Sequence, residues 1–444
     1  MADSPTSVPL DRLRERRLRV AERLEGSVLV LPGAPVRFSS RDIEHPYRPD
    51  SELFWLSGLT EPDTVAVLRG GETPALEVFV CPRDPEAELW SGSRLGPEGA
   101  AAVSGADAAH PLSELDARLG RLLDGSRSVH FRLGAHPAVE PVVLAALSRA
   151  RGRGSRKGAG PRRVVDPGEV LDDLRLCKDD FELARMREAI RITGEGFRAL
   201  QRHLRPGVPE YRLQAALEEV FRASGGEGPA YGTIVGSGAN ACVLHYVENR
   251  GVARAGDLVL VDAGASYGLY AADVTRTYPV DGAYGAEQLA LYRVVEAARA
   301  AAVAHVRPGV TVAAVHEAAV AALVRGLVEL GVLEGEADAL VEAEAHKPFF
   351  PHQTSHWLGL DVHDVGDYAR DGAARVLEPG MVITVEPGLY FGPGALEAAG
   401  ERAARFAGTG IRVEDDVLVT ASGHENLTAG LATAAGAVEA ELRS

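Results

Sequence analysis

The chain has 444 residues, which is too many for one ordinary hydrophobic core, so its length predicts two domains. Hydrophobic residues make up 46% of the chain and charged residues 25%, the composition of a folded globular protein and not of a disordered one. The net charge of -16 disfavours nucleic acid as a partner. The sequence has no apolar run of about 18 residues, which argues against a membrane-spanning helix.

The cysteines and the amino terminus indicate the cellular compartment of the protein. Cys81, Cys177 and Cys242 are odd in number and far apart, which argues against a framework of disulfide bonds. Residues 1–9 are short and polar, and no apolar stretch suited to a signal peptide follows them. These features predict a cytoplasmic protein.

The first part of the chain alternates strand-like runs with helical patterns. The strand-like runs are residues 27–31, 64–68 and 76–80, and the helical patterns are residues 112–123 and 138–150. Strands that alternate with helices predict an α/β domain, which we assign to residues 1–175. Within it, residues 149–163 mix arginine with glycine and serine, which is typical of an exposed loop.

The second part of the chain, residues 176–444, has a different pattern. Its helical patterns cover residues 179–204, 210–224, 286–305 and 312–331, and its strand-like regions are 256–280, 381–390 and 411–420. Helices on one side of a curved antiparallel sheet would form an α+β domain. We therefore expect an α/β domain followed by an α+β domain.

The strand-like region 256–280 predicts a hairpin with an acidic residue on each strand. If the chain reverses about Tyr267 and Gly268, Asp262 faces Asp273. Directly opposed residues in an antiparallel pair have Cβ atoms about 4.5–5.5 Å apart. Two carboxylates at that distance repel each other unless a cation lies between them, so the hairpin predicts a metal site.

Further groups that can bind metal occur late in the chain. Glu386 follows an apolar run and Glu414 lies in a strand-like segment, while residues 352–363 contain three histidines. Carboxylates with one histidine form a hard, oxygen-rich ligand set that suits Mn²⁺. Taken singly, such residues are more often caps, turn formers or hydrogen-bonded structural groups. Spacing alone therefore predicts only a candidate metal site.

A series of motifs in this order resembles the aminopeptidase P group of the creatinase-type, or pita-bread, metallopeptidases. The motifs are residues 47–59, 231–246, the hairpin of Asp262 and Asp273, and residues 355–366, 384–390 and 410–416. The resemblance covers nearly the whole chain. It implies a pita-bread fold for the second domain and a creatinase-like fold for the first.

The resemblance also implies two divalent metal ions, usually manganese, held by five ligands. These ligands are Asp262, Asp273, His356, Glu386 and Glu414. Asp273 and Glu414 would bridge the two ions, Asp262 would complete one of them, and His356 with Glu386 the other. A bridging hydroxide would attack the scissile carbonyl.

Other matched residues would act on the substrate side. His245 and His363 would orient the scissile carbonyl and stabilise the tetrahedral intermediate, and Glu386 would shuttle the proton. Arg412 would support the carboxylates, and His352 would line the substrate pocket, although a structural role for His352 is nearly as well supported.

The implied activity is that of an Xaa-Pro aminopeptidase, which releases an N-terminal residue that precedes proline in a peptide. The alternatives are a prolidase, which cuts only Xaa-Pro dipeptides, and a non-catalytic peptide-binding protein of the same fold. A creatinase-like hydrolase is disfavoured because that reaction does not use this metal set. The resemblance further implies a homo-oligomer, either a dimer or a tetramer.

Overall fold

The structure is a computed structural model that describes residues 4–71, 74–156 and 160–443. The chain divides into two compact units, Met1–Leu174 and Arg175–Ser444. None of the described helices combines the length and the apolar character that a membrane crossing requires.

The first unit is built on a mixed sheet with helices. Its helices are α1 (Leu10–Leu24), α2 (Ser51–Ser57), α3 (Pro85–Ser91), α4 (Gly96–Ser104), α5 (Leu115–Leu122), α6 (Glu140–Gly154) and the start of α7 (Gly168–Leu176). Its strands are β1 (Val28–Pro32), β2 (Phe38–Ser40), β3 (Ile43–Glu44), β4 (Val65–Arg69), β5 (Ala75–Val80), β6 (Ala108–Pro111), β7 (Val129–His130) and β8 (Val164–Val165).

The central sheet of this unit has the strand order β6-β5-β4-β1-β7-β8. Strand β1 is antiparallel to β4 and parallel to β7. Every residue of β1 is buried, which is why its sequence is a continuous apolar run with no alternation. Helices α5 and α6 pack Leu119 and Val143 into the same core as Val30 and Phe79. The predicted α/β class is confirmed.

One local prediction in this unit is wrong. Residues 149–163 were expected to form an exposed loop, but α6 continues to Gly154. Ala146 and Ala150 are fully buried and tie the helix to the core, so the arginines that follow extend an existing helix. Residues 157–159 of this segment lie outside the described part of the chain.

The second unit combines long helices with short antiparallel sheets. Its helices are α8 (Asp180–Gln201), α9 (Glu210–Ala223), α10 (Ala286–His305), α11 (Val312–Glu329), α12 (Ala337–Glu342), α13 (Pro393–Ala399), α14 (Glu401–Ala404) and α15 (Ala435–Arg443). Its strands are β9 (Gly228–Pro229), β10 (Ile234–Ser237), β11 (Leu258–Asp262), β12 (Ala265–Tyr267), β13 (Tyr270–Ala271), β14 (Thr275–Pro279), β15 (Ala369–Arg370), β16 (Ala373–Ala374), β17 (Val382–Val385), β18 (Gly388–Tyr390), β19 (Gly410–Arg412), β20 (Asp415–Val419) and β21 (His424–Asn426).

Helix α8 illustrates how the sequence sets the limits of these helices. The Asp179 side chain accepts a hydrogen bond from the Glu182 backbone N–H, and the Glu182 side chain accepts one from the Asp179 N–H. This reciprocal capping box fixes the first turn. Met186, Ile190 and Phe197 recur at helical spacing and are buried.

The strands of the second unit form three-stranded sheets in the orders β10-β11-β14 and β17-β20-β21, and a β18-β19 pair. The pairs within them are antiparallel. Buried residues from α8, α9 and α10 share one core with residues of β11 and β14. The predicted α+β class is therefore confirmed.

Candidate active site

The hairpin that carries Asp262 and Asp273 differs in register from the predicted one. Strand β11 pairs with β14 so that Asp262 lies opposite Thr275, and β12 pairs with β13 around Gly268 and Leu269. Both of these turn residues have positive φ, 58° and 71°, as both central residues of a type I′ hairpin turn require. The prediction that Asp262 directly faces Asp273 is wrong.

The two aspartates nevertheless meet, because Asp273 is the diagonal neighbour of Asp262 across the hairpin, and diagonal side chains remain within reach. The Tyr231 hydroxyl donates to Asp262 Oδ1 at 2.6 Å and also lies within hydrogen-bonding distance of Asp273 Oδ1. Arg412 Nη2 donates to Asp262 Oδ2 at 2.6 Å. One face of the hairpin is thus a site for paired carboxylates.

Three residues from distant segments, His356, Glu386 and Glu414, lie near Asp273. The metal-binding atoms of Asp273, His356 and Glu414 all lie within 4.8 Å of one another. His356 Nε2 is 3.4 Å from Asp273 Oδ2 and 3.6 Å from Glu386 Oε1. The Thr275 hydroxyl donates to Glu414 Oε2 at 2.7 Å. The structure therefore brings together all five predicted metal ligands.

Strand ends hold these side chains in place. Asp262 is the last residue of β11, Glu386 follows β17, and Glu414 lies between β19 and β20. The Glu414 backbone N–H donates to the Thr275 carbonyl at 3.1 Å, which joins the late strands to the hairpin. The Glu386 N–H donates to the Thr354 carbonyl at 2.8 Å, which joins it to the histidine segment.

The electrostatics of the cluster are those of a cation site. Burial raises the pKa of Glu386 to about 8 and that of Glu414 well above its usual range, and the charges of Asp262 and Asp273 add to both shifts. Burial alone would lower the pKa of His356, but Asp273 and Glu386 outweigh it and raise that pKa to about 9. Three buried carboxylates, the half-buried carboxylate of Glu386 and one imidazole fit divalent cations that prefer oxygen ligands.

The cluster lies in a cleft of about 410 Å³. All nine predicted site residues line this cleft: His245, Asp262, Asp273, His352, His356, His363, Glu386, Arg412 and Glu414. The rings of His356 and His363 contact each other edge to face, with centroids 4.5 Å apart. Partial burial and the nearby His356 lower the pKa of His363, which favours a neutral imidazole.

A chain of hydrogen bonds links Arg412 to His352. Arg412 Nη1 donates to the Tyr390 hydroxyl at 2.8 Å, and that hydroxyl lies 2.9 Å from His352 Nε2. His352 Nδ1 lies 2.8 Å from the Gln353 carbonyl. Burial, with a smaller effect of Arg412, lowers the pKa of His352 to about 3. His352 is therefore neutral. Its Nδ1–H donates a hydrogen bond to the Gln353 carbonyl, and its Nε2 accepts one from the Tyr390 hydroxyl.

Sequence reasoning missed several residues of the site. Tyr231 opens a recognised motif and Tyr390 closes another, so their positions offered a signal that was not used. Asp416 likewise closes the motif 410–416, but its partner lies far away: its carboxylate accepts the Asp273 backbone N–H at 3.2 Å across 143 residues of sequence. Thr275 offered no signal. Such partners become visible only in the folded chain.

The fold and the site together are those of a metal-dependent hydrolase, with clustered carboxylates and histidines that line one cleft. The sequence matches Metallopeptidase family M24 over residues 184–421 and the aminopeptidase P N-terminal domain over residues 13–130. The chain belongs to metallopeptidase family M24, as a member of its aminopeptidase P group. The resemblance drawn from the sequence motifs is confirmed.

Similar proteins cover nearly the whole chain. The Xaa-Pro aminopeptidase of Escherichia coli is 41% identical over 430 residues, which are 96% of each chain. An aminopeptidase structure from Pseudomonas aeruginosa matches with a TM-score of 0.93 at 41% identity and covers 98% of both chains. The zinc-substituted aminopeptidase P of Escherichia coli in complex with product has a TM-score of 0.93 at 39% identity, covering 98% of this chain and 99% of that one.

Proposed function

We propose that the protein is an Xaa-Pro aminopeptidase, which hydrolyses the bond between an N-terminal residue and a following proline in peptides. The observation that carries this proposal is the convergence of all nine predicted site residues on one cleft. The similarity of the whole chain to the Xaa-Pro aminopeptidase of Escherichia coli supports it.

In this proposal, five residues hold two divalent metal ions, and the excess of oxygen ligands favours Mn²⁺. The ligands are Asp262, Asp273, His356, Glu386 and Glu414. When bound, such ions lower the pKa of a water molecule and polarise a carbonyl group. Arg412 and Tyr231 orient Asp262 through the hydrogen bonds described above.

The remaining residues act on the substrate and on protons. His245 and His363 line the cleft and donate an imidazole N–H to the oxygen of the scissile carbonyl. A neutral His363 suits this role because it keeps one N–H and brings no extra positive charge beside the ligands. Glu386 accepts a proton at a carboxylate oxygen and delivers it to the leaving amine.

The location and assembly of the enzyme are also proposals. Cys81, Cys177 and Cys242 form no disulfide bond in the part of the chain that the structure describes, which suits a reducing cytoplasm. We propose a homo-oligomer, on the resemblance to the aminopeptidase P group alone.

The test compares an Xaa-Pro-Yaa tripeptide with an Xaa-Pro dipeptide, using metal-stripped protein with and without added Mn²⁺. Manganese-dependent release of the first residue from the tripeptide is the expected result. Cleavage of the dipeptide alone would make the protein a prolidase. No cleavage of either peptide would favour a non-catalytic peptide-binding protein.

A further inference from the structure

A second cluster of charged side chains lies next to the loop that carries His363. Asp364 follows His363 directly, and its carboxylate is buried, with 1% exposure. Arg175 Nη2 donates to Asp364 Oδ1 at 2.8 Å, and Lys178 Nζ lies 2.9 Å from Asp364 Oδ2. Arg175 also pairs with Asp361 at 2.8 Å. None of these four charged side chains lines the cleft.

Stability alone does not explain this cluster. The Arg175 and Lys178 side chains are also almost fully buried, with 2% and 1% exposure. The loss of hydration of buried ions offsets much of their attraction, so well-packed apolar residues often stabilise a core equally well. A cluster of three buried charges beside the cleft therefore indicates that the cluster serves to fix the position of the neighbouring loop.

The side chain of His363 has few contacts of its own that would fix its position. It is exposed, and among the described residues it makes no side-chain hydrogen bond. Its ring contacts that of His356 edge to face, and this contact supplies no hydrogen bond to fix the imidazole. The position of the imidazole therefore depends on its backbone, and the next residue in that backbone is Asp364.

The cluster connects this backbone to the rigid part of the unit. The Lys178 backbone N–H donates to the Gly380 carbonyl at 2.8 Å, and the Gly380 N–H donates to the Val419 carbonyl at 2.9 Å, at the end of β20. The Asp364 N–H donates to the Trp357 carbonyl at 3.0 Å. Lys178 thus joins the sheet of β17 and β20 to the loop that carries His363.

Gly359 indicates that the loop is built around this cluster. A Cβ atom at Gly359 would lie 2.1 Å from Asp364 Oδ2 and 2.7 Å from Lys178 Cε. Any other residue at this position would push the carboxylate away from its cations. The absence of a side chain here is therefore a requirement of the ion cluster.

We propose that Arg175, Lys178 and Asp364 are positioning residues that hold His363 at the substrate carbonyl. This inference rests on the proposed function, in which His363 is a catalytic residue that contacts the substrate. A misplacement of about 1 Å in such a group is enough to lower a rate by roughly a hundredfold.

The experiment is a double-mutant cycle of Lys178→Met with His363→Ala, assayed on an Xaa-Pro-Yaa tripeptide with Mn²⁺. Lys178→Met should lower kcat by roughly ten- to hundredfold with little change in KM. In the His363→Ala background it should cause almost no further loss, because the group that it positions is absent. Lys178→Arg keeps the positive charge beside Asp364 and should therefore retain most of the activity of the unchanged protein. The control Lys347→Met removes an exposed lysine that pairs with Glu344 and should leave the activity unchanged.

Two results would overturn the proposal: an unchanged kcat for Lys178→Met, or the same loss in both backgrounds, which would mean an effect that does not pass through His363. If circular dichroism finds Lys178→Met unfolded, Lys178→Gln takes its place in the same cycle. A wild-type protein that cleaves no tripeptide would instead overturn the proposed function, so the two failures are distinguishable.

Discussion

Glu210 holds the segment that carries His245, and we predict that its removal strongly destabilises the second unit. The Glu210 side chain is fully buried at the first turn of α9, with 0% exposure. Its carboxylate accepts hydrogen bonds from the Ser237 backbone N–H (2.7 Å), the Ser237 hydroxyl (2.6 Å), Asn240 Nδ2 (3.0 Å), the Tyr246 hydroxyl (2.9 Å) and the Gly251 N–H (2.6 Å). These donors bracket His245 on both sides.

The expected size of the effect follows from those contacts. A hydrogen bond to a charged group contributes about 1.5–3 kcal/mol, and a buried donor left unpaired costs about 1–3 kcal/mol. Glu210→Ala would leave the two backbone N–H groups without an acceptor, whereas Asn240 and Tyr246 still bond each other at 3.1 Å. We therefore expect a loss of about 3–5 kcal/mol in the free energy of unfolding. At about 2–4 °C per kcal/mol, the Tm should fall by roughly 10 °C.

The assay is thermal unfolding of Glu210→Ala beside Glu219→Ala, followed by circular dichroism. Glu219 lies on the same helix and is exposed, so it controls for the loss of a glutamate from α9. We also expect a lower kcat/KM on a tripeptide at temperatures where the variant is folded, because His245 loses its anchor. A Tm for Glu210→Ala that equals that of the control would refute the reasoning.

Three further predictions concern the metal site. Asp273→Ala should abolish hydrolysis and Mn²⁺ binding while circular dichroism stays unchanged, and a fully active variant would contradict the proposed ligand set. In metal-stripped protein, the pKa values of Glu386 (about 8) and His356 (about 9) are raised. The folded state therefore binds more protons than the unfolded state, and the free energy of unfolding should fall as the pH rises from about 5 to 9. Thermal unfolding across that range should detect the fall, and added Mn²⁺ should remove it. A Tm that does not fall with pH would argue against the burial of Glu386 and against the pairing of His356 with Asp273 and Glu386. Gly264→Ala should disrupt the hairpin and abolish activity, because the added Cβ would lie 1.6 Å from the Ala272 carbonyl oxygen. An active, stable variant would contradict this hairpin geometry.

The sequence predicted the long elements and the residues that line the cleft, because both are encoded locally. The capping box at Asp179 and the apolar spacing that follows it fix the start and the buried face of α8. The carboxylates and histidines that line the cleft stand in recognisable motifs. A local pattern of residue types was sufficient to identify these features.

Register and long-range partners were not predictable in this way. The turn of the metal hairpin lies at Gly268 and Leu269, one residue beyond the predicted centre, and Leu269 gave no signal because a leucine rarely adopts positive φ. Arg175 and Asp364 are 189 residues apart in sequence, so their contact follows only from the packing of the whole unit. Helix α6 ran on past the predicted start of the arginine-rich loop because its buried alanines outweigh the glycines that follow.

The central claim is that the five clustered ligands hold two metal ions that activate the peptidase. The most direct measurement is a calorimetric titration of metal-stripped protein with Mn²⁺, with tripeptide hydrolysis measured on the same samples. The account predicts two ions per chain, with activity that rises as they bind and is absent from the metal-free protein. Full activity without metal, or no binding of Mn²⁺, would contradict it.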